Sequence, residues 1–327
     1  MHLDKKDRQI LYQLDWNSRM PLSTLGKKVK LSKPTVKYRI NKLVENGIIK
    51  NFHAIINTGL LGLKPVRIQF TYQYQTPDIE KKILNYLFNN RYTSLIVSTQ
   101  GLFDLSVIFQ ISHLKQFIQT WIEFQNDYGM YFEKQIITFP IKDIHFKPSF
   151  ILQDSFKKEE REKSITIDYY KNIDVKIEKK DIEILKQISK NARIPLTEIA
   201  RNINLSDKVV KYRLNKLIKK GIIVNFRLNM DLSKIGYQVV RVYIYLHSYK
   251  YRFKIINYIK YNPNLTWIDT TVGESHIELE FQLKNIVKLY EIMQDIRQKF
   301  PDAIKNYKYI TLLKAYKYLY FPNLDID

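Results

Sequence analysis

The chain has 327 residues, too many for one average domain, and its 45% hydrophobic content is enough for several buried cores. Its 54 Lys and Arg outnumber 32 Asp and Glu, and a formal charge of +22 points to a polyanionic partner, nucleic acid or an anionic membrane surface. The absence of cysteine excludes disulfides, Cys-bound zinc, iron–sulfur clusters and a thiol nucleophile, and no two of the six His share a metal-ligand spacing.

The first helix is predicted over Lys5–Trp16, with Ile10, Leu11 and Leu14 on one face. Pro21 opens a second helix whose apolar stripe is Leu22, Leu25 and Val29. Ser32 is a good N-cap for a third, and Pro34 suits its first turn. There Val36, Ile40, Leu43 and Val44 fall on one face, while Lys33, Thr35, Lys37, Tyr38, Arg39, Asn41 and Lys42 fall on the other. Gly47 ends the helix in the left-handed region. The loosely alternating IIKNFHAIIN then reads as a short β-hairpin wing.

Beyond it, VRIQFTYQY predicts a strand, Pro77–Asn90 a helix, SLIVST and FDLSVIFQI two strands about Gly101, Leu114–Tyr128 a helix and KQIITFPIKDIHF a last strand. This βαββαβ order is the ferredoxin-like split pattern, an antiparallel sheet with helices on one face. The strands are apolar in both phases, Ile96 beside Val97 and Ile108 beside Phe109. Each sheet is therefore expected to pack on another such domain, in the same chain or in a homo-oligomer. The charged KKEEREK stretch marks residues 149–177 as a partly helical linker.

The chain then repeats itself. Shifted by 174 residues, Lys5–Gly62 and Lys179–Gly236 share 25 identities in 58 positions, without a gap. The expected fold class is α+β, in five segments. These are a winged helix-turn-helix at 1–62, a ferredoxin-like domain at 63–148, the linker at 149–177, and the second pair at 178–236 and 237–327.

The charge follows the repeat. Residues 1–62 carry a net +8 and 176–236 a net +9, whereas a codon bias toward Lys would spread the charge along the chain. Two helices joined by a tight turn, the second with a basic outer face, fit the major groove of double-stranded DNA. Lys33, Thr35, Lys37 and Tyr38 are placed to reach base edges, while Arg39 and Lys42 suit phosphates. The second helix offers Lys208, Lys211, Tyr212, Arg213 and Lys216, with Asp207 at its tip, so the two helices are expected to read different sequences.

The stretch LSKPTVKYRINKLVENGII and its copy LSDKVVKYRLNKLIKKGII resemble the recognition helix of the Lrp/AsnC family of bacterial and archaeal transcription regulators. The resemblance covers nearly the whole chain, twice, although most members have a single unit. It implies a DNA-binding regulator whose ferredoxin-like domains, called RAM domains in that family, mediate oligomerisation and can hold an amino-acid effector. Gly101 and Asp104 resemble the family's effector loop; the second copy offers Gly273 and lacks the Asp.

Two alternatives are an architectural, chromatin-like protein of weak specificity and an enzyme of the same architecture, the siroheme decarboxylases. His113, His145, His247 and His276 follow no catalytic motif and are expected at the surface or half-buried. No apolar run approaches a membrane span, and MHLDKKDRQ is not a signal peptide. The expectation is a cytoplasmic, nucleoid-associated protein without metal, cofactor, membrane contact or enzymatic activity.

Overall fold

A computed structural model describes residues 3–171 and 175–322. Residues 1–2, 172–174 and 323–327 of the expected segments lie outside the described residues. The first unit begins with α1 (Lys5–Trp16), α2 (Leu22–Val29) and α3 (Lys33–Glu45), followed by the strand β1 (Ile49–Ile56). The next part runs β2 (Lys64–Tyr72), α4 (Pro77–Asn89), β3 (Thr93–Gly101), β4 (Leu105–Ile111), α5 (Leu114–Tyr128) and β5 (Phe132–His145). After a connecting stretch holding β6 (Ile165–Asp168), the order repeats as α6 (Lys179–Lys190), α7 (Leu196–Asn202), α8 (Asp207–Lys219) and β7 (Ile223–Met230). It ends with β8 (Gln238–Leu246), α9 (Arg252–Ile259), β9 (Leu265–Val272), β10 (Ile277–Leu283), α10 (Val287–Lys299) and β11 (Ile304–Tyr318).

The wing differs from the expected hairpin. Each copy supplies one strand, and β1 pairs antiparallel with β7, from Ile49 opposite Met230 to Ile56 opposite Ile223. The two copies are interlocked there. Ala54 and Ile56 of β1 join the core around Ile184, Leu185 and Ile188 of α6. Leu228 and Met230 of β7 pack with Ile10, Leu11 and Leu14 of α1. The tight turn that follows, Thr58–Leu61 closed by Gly62 at φ +76°, leads into β2 and not back along β1, so the backbone groups of β1 are satisfied by the duplicate. Equivalent bonds tie the helical parts together: Ser18 N–H donates to Phe226 O at 2.8 Å, and Ala192 N–H to Phe52 O at 2.7 Å. Arg193 donates to Ser18 O at 2.9 Å, and Arg19 to Ala192 O.

The remaining strands form one sheet in the order β2-β4-β3-β11-β8-β10-β9-β5-β6, and β5 pairs with β2 as well, closing a ring. Each last strand is shared. The first part of β5 lies on β2 and its second part on β9; β11 lies on β8 and then on β3. The sheet-to-sheet pairing expected of these domains is thus made within one chain. Val66, Ile68 and Phe70 face α4 and α5, and Val240, Val242 and Ile244 face α9 and α10.

The inner layer is charged, although the strand patterns predict apolar packing. Arg67, which is 1% exposed, pairs with Asp269 and Glu278 of the other half. Arg241 holds Glu280 at 2.7 Å and lies 3.7 Å from Asp269. Tyr243 accepts a hydrogen bond from Gln69. Burial and the neighbouring Asp269 carboxylate push Asp143 well above the usual carboxylate range, while Tyr169 donates to its Oδ2 at 2.5 Å. His145, expected near the surface, is fully buried with its ring 4.2 Å from that of Trp267.

The stretch read as a linker is packed into the body. Phe150 and Ile151 enter the α1 core, and β6 extends the sheet beside β5. Arg161, in the middle of the charged run, is buried and donates to the carbonyls of Lys147, Lys260 and Leu265 at 2.8–3.0 Å. Those carbonyls take a guanidinium's several donors, so the charge needs no water.

Candidate nucleic-acid interface

The two recognition helices are set by the same local chemistry. Ser32 Oγ accepts the Thr35 N–H at 3.3 Å and Ser206 Oγ the Val209 N–H at 3.4 Å, each satisfying one free amide of the first turn. Val36, Ile40 and Leu43 bury one face of α3, and Val210, Leu214 and Leu217 that of α8. This leaves Lys33, Lys37, Tyr38 and Lys42 exposed on α3, and Lys208, Lys211 and Tyr212 on α8. Tyr38 is 65% and Tyr212 67% exposed, unusual for aromatic rings without a partner. Thr35 is half-buried and its hydroxyl lies 2.7 Å from Ser32 Oγ. Lys216 is half-buried and 4.0 Å from Glu178.

Arg39 and Arg213 point elsewhere. Arg39 reaches back to Asp4 and Asp7 at 2.7 Å each, and Arg213 to Glu178 at 2.7 Å and Asp181 at 3.0 Å. These acids form the capping boxes of α1 and α6, so each arginine fastens a recognition helix to the first helix of its own unit. Arg213 holds the Glu178 carboxyl below its ordinary range. Both guanidiniums, read in the sequence as phosphate contacts, are engaged by carboxylates of their own unit. The signal was present: Arg39 lies three residues after the buried Val36 and one before the buried Ile40, at the edge of the apolar stripe.

The loops read as effector sites sit where the halves meet. Gly101 has φ +123°, and a Cβ there would lie 2.8 Å from Tyr309 O. Gly273 has φ +137°, and its Cβ would lie 2.8 Å from Thr138 Cγ2. Both positions need glycine for conformation and for space. Asp104 Oδ2 accepts the Tyr72 N–H at 2.9 Å; in the second half His276 Nδ1 accepts the Leu246 N–H at 2.8 Å. Burial, with Arg252 nearby, lowers the His276 pKa and keeps that nitrogen free to accept. The histidine thus takes the bond that Asp104 makes in the first half. Among the described residues no group of three or more His, Asp or Glu could hold a metal ion, and no helix is long and apolar enough to cross a membrane.

A duplicated three-helix unit with a strand wing, capped alike and basic on the same helix face, defines a winged helix-turn-helix DNA-binding protein. The family model described as winged helix-turn-helix DNA-binding matches residues 3–50 and 177–224. The transcriptional regulator LysM of Saccharolobus solfataricus is 30% identical over 129 residues, 39% of this chain and 88% of that one. The regulator Ptr1 of Methanocaldococcus jannaschii is 32% identical over 119 residues, 36% of this chain and 79% of that one. LrpA of Pyrococcus horikoshii is 38% identical over 66 residues, 20% of this chain and 47% of LrpA, so that match spans about half of the relative. The chain belongs to the Lrp/AsnC family of DNA-binding transcription regulators. The crystal structure of the siroheme decarboxylase NirDL shares the fold, with a TM-score of 0.60 at 13% identity over 96% of this chain and 93% of that one.

Proposed function

We propose that one chain acts as a covalent pseudo-dimer and recognises an asymmetric DNA operator with two unlike recognition helices, as a binding protein rather than a catalyst. The observation that carries this is the interlocked wing ladder, because it fixes α3 relative to α8 inside a single chain. A rigid pair of helices tolerates only one half-site spacing. Lys33, Lys37, Tyr38 and Lys42 serve one half-site, with Thr35 at its edge. Lys208, Lys211, Tyr212 and Lys216 serve the other. The helix tips differ, Lys33-Pro34-Thr35 against Asp207-Lys208-Val209. Lys33 would repel a base-edge donor that Asp207 could accept from, such as a cytosine amino group.

The test is fluorescence anisotropy on duplexes from the upstream region of its own gene, against scrambled duplexes of equal composition, over several salt concentrations. Preference for the native duplex that persists as salt rises supports sequence-specific regulation. Equal, steeply salt-dependent binding to both supports an architectural role, and no binding overturns the reading. A half-site insertion of about five base pairs, half a turn, is expected to abolish the preference. An amino-acid effector at the Gly101, Asp104 and Gly273 loops is part of the same proposal. Calorimetry with free amino acids tests it: heat that disappears in Asp104→Ala supports the site, and no heat from any of them removes it.

A further inference from the structure

The two halves carry opposite charge at one equivalent place. With Asn85-Tyr86 set on Asn257-Tyr258 and Gly101 on Gly273, Glu80 and Asp104 of the first half fall on Arg252 and His276 of the second. The structure keeps the correspondence, since Asp104 and His276 accept the same kind of backbone N–H at the ends of β2 and β8. We propose that the second place binds a small oxyanion, a carboxylate or a phosphate, held by Arg252 beside Tyr249 and His276.

Arg252 is half-buried at the start of α9. Its guanidinium carbon lies 5.5 Å from the centre of the Tyr249 ring and 5.1 Å from that of Phe253, so two rings hold it in place. Among the described residues no carboxylate or carbonyl takes its N–H groups. Nε is buried without a partner, and the terminal nitrogens keep contact with solvent. The fully buried arginines are answered within the chain, Arg67 and Arg241 by acids and Arg161 by carbonyls. A half-buried guanidinium with every donor free is unfavourable on its own. An oxyanion, which the planar fork grips with two parallel bonds, offsets that.

His276 adds a second donor. Its Nδ1 accepts the Leu246 N–H at 2.8 Å, so the neutral ring carries its proton on Nε2, which meets no acceptor among the described residues. The ring packs on Tyr249 with centroids 4.6 Å apart, the same ring that Arg252 borders. Residues 247–260 contain no Asp or Glu, and Glu274, two residues before His276, already accepts from Tyr245 Oη at 2.8 Å.

The first half supplies the contrast. Burial, with Glu80 and Asp104 nearby, raises the Tyr72 hydroxyl above its ordinary value, so both carboxylates border one crevice there. That place repels the anion that the second attracts. The site needs neither the DNA-binding reading nor the amino-acid reading of the loops, because its ligand carries no ammonium.

The experiment is NMR on the full chain with carbon-13-labelled histidine rings. The His276 signal, identified by its loss in His276→Gln, is followed as inorganic phosphate, acetate or methylammonium is added at constant ionic strength. A saturable shift with half-saturation on the order of millimolar is expected with at least one of the two anions, and none with methylammonium. Phosphate alone marks a phosphoryl ligand; acetate, alone or as well, marks a carboxylate. Arg252→Gln is expected to weaken the anion at least about tenfold, and Arg252→Lys, which keeps the charge and loses the fork, about threefold, with thermal unfolding as the check that each is folded. The double variant Lys37→Ala, Lys211→Ala is expected to leave the shift unchanged, which separates the site from the DNA face. No saturable shift with either anion overturns the proposal, as does one that survives in folded Arg252→Gln, that methylammonium also gives, or that the lysine variant loses. A His276 signal that moves on dilution without added anion would mean that carboxylates of a second copy fill the place, and overturns the small-ligand reading. Loss of DNA binding with the shift intact leaves this site standing, and normal DNA binding without the shift removes it alone.

Discussion

The two kinds of cation on the recognition helices make opposite predictions. Lys37 and Lys211 occupy equivalent positions, are exposed, and face no carboxylate among the described residues. If each neutralises one phosphate, and does not reach a base edge as the sequence placed Lys37, the double variant Lys37→Ala, Lys211→Ala loses two contacts. The slope of log affinity against log salt then becomes shallower by ~1.8, at ~0.9 per contact. That is a loss of ~60-fold in affinity at 0.1 M salt, shrinking to ~5-fold at 0.4 M. Arg39 and Arg213 are already held by two carboxylates each. The variant Arg39→Ala, Arg213→Ala is expected to leave the salt slope unchanged and to lower stability instead. The pairs are partly exposed and solvent-screened, so the loss of stability is expected to be small. Anisotropy titrations at four salt concentrations, with urea unfolding of the same variants, decide it. A slope that falls by ~2 in the arginine variant and stays fixed in the lysine variant would refute the assignment.

Three further outcomes follow from the interior. Arg67→Met leaves Asp269 and Glu278 buried with only Arg241 nearby and is expected to cost about 3–5 kcal/mol in urea unfolding; a loss below about 1 kcal/mol would mean the cluster is not a tight network. Burial, with Arg227 nearby, pushes His53 and His145 down to about 3, so both are neutral when folded and protonate near their ordinary value of about 6.5 when unfolded. Their stabilisation is complete above that unfolded value and is lost as pH falls toward the folded one, by about 1.4 kcal/mol per pH unit for each ring. Asp143 and Glu278, which burial holds above the carboxylate range, act in the opposite sense, so the check is the difference between the parent and His145→Phe at pH 7 and 5. An unchanged difference would place His145 in contact with water. Gly101→Ala, with its Cβ 2.8 Å from Tyr309 O, is expected to cost at least about 2 kcal/mol by thermal unfolding. Gly62→Ala, with φ +76° and nothing within 4 Å, is expected to cost only about 1. Equal costs would remove the close approach of β11 as the reason for glycine.

The helical units were legible because their signals are local. Ser32 and Ser206 cap, Gly47 and Gly221 terminate at positive φ, and the apolar residues recur at helical spacing. The wing was not, since a strand such as β1 carries no mark of whether its partner is four residues away or 174. Arg161 was misplaced for a related reason. A run of charges normally means solvent, and nothing near it in sequence shows that the carbonyls of Lys260 and Leu265 will meet it. The polar interior left a trace that period alone does not weigh. Arg67 and Arg241 stand at the same place in both copies, on the strand phase opposite Ile68 and Val242.

That retained pair also shows how the halves recognise each other. Arginine occupies the inner face in both copies, but the acids that answer it come from one. Strand register sets Asp269, Glu278 and Glu280 against Val97, Ser106 and Ile108 of the first half. Two first halves packed together would bury two guanidiniums with only Asp143, itself pushed well above the carboxylate range by burial, as a nearby acid. Two second halves would bury twice the acids against the same two arginines. Either like pair leaves charge uncompensated in a dry interior, and only the unlike pair approaches balance. The same asymmetry recurs at the DNA face, where Lys33 in one helix tip stands against Asp207 in the other. A duplication that kept its arginines and divided its acids favours unlike pairing, and unlike pairing is what the proposed asymmetric operator requires.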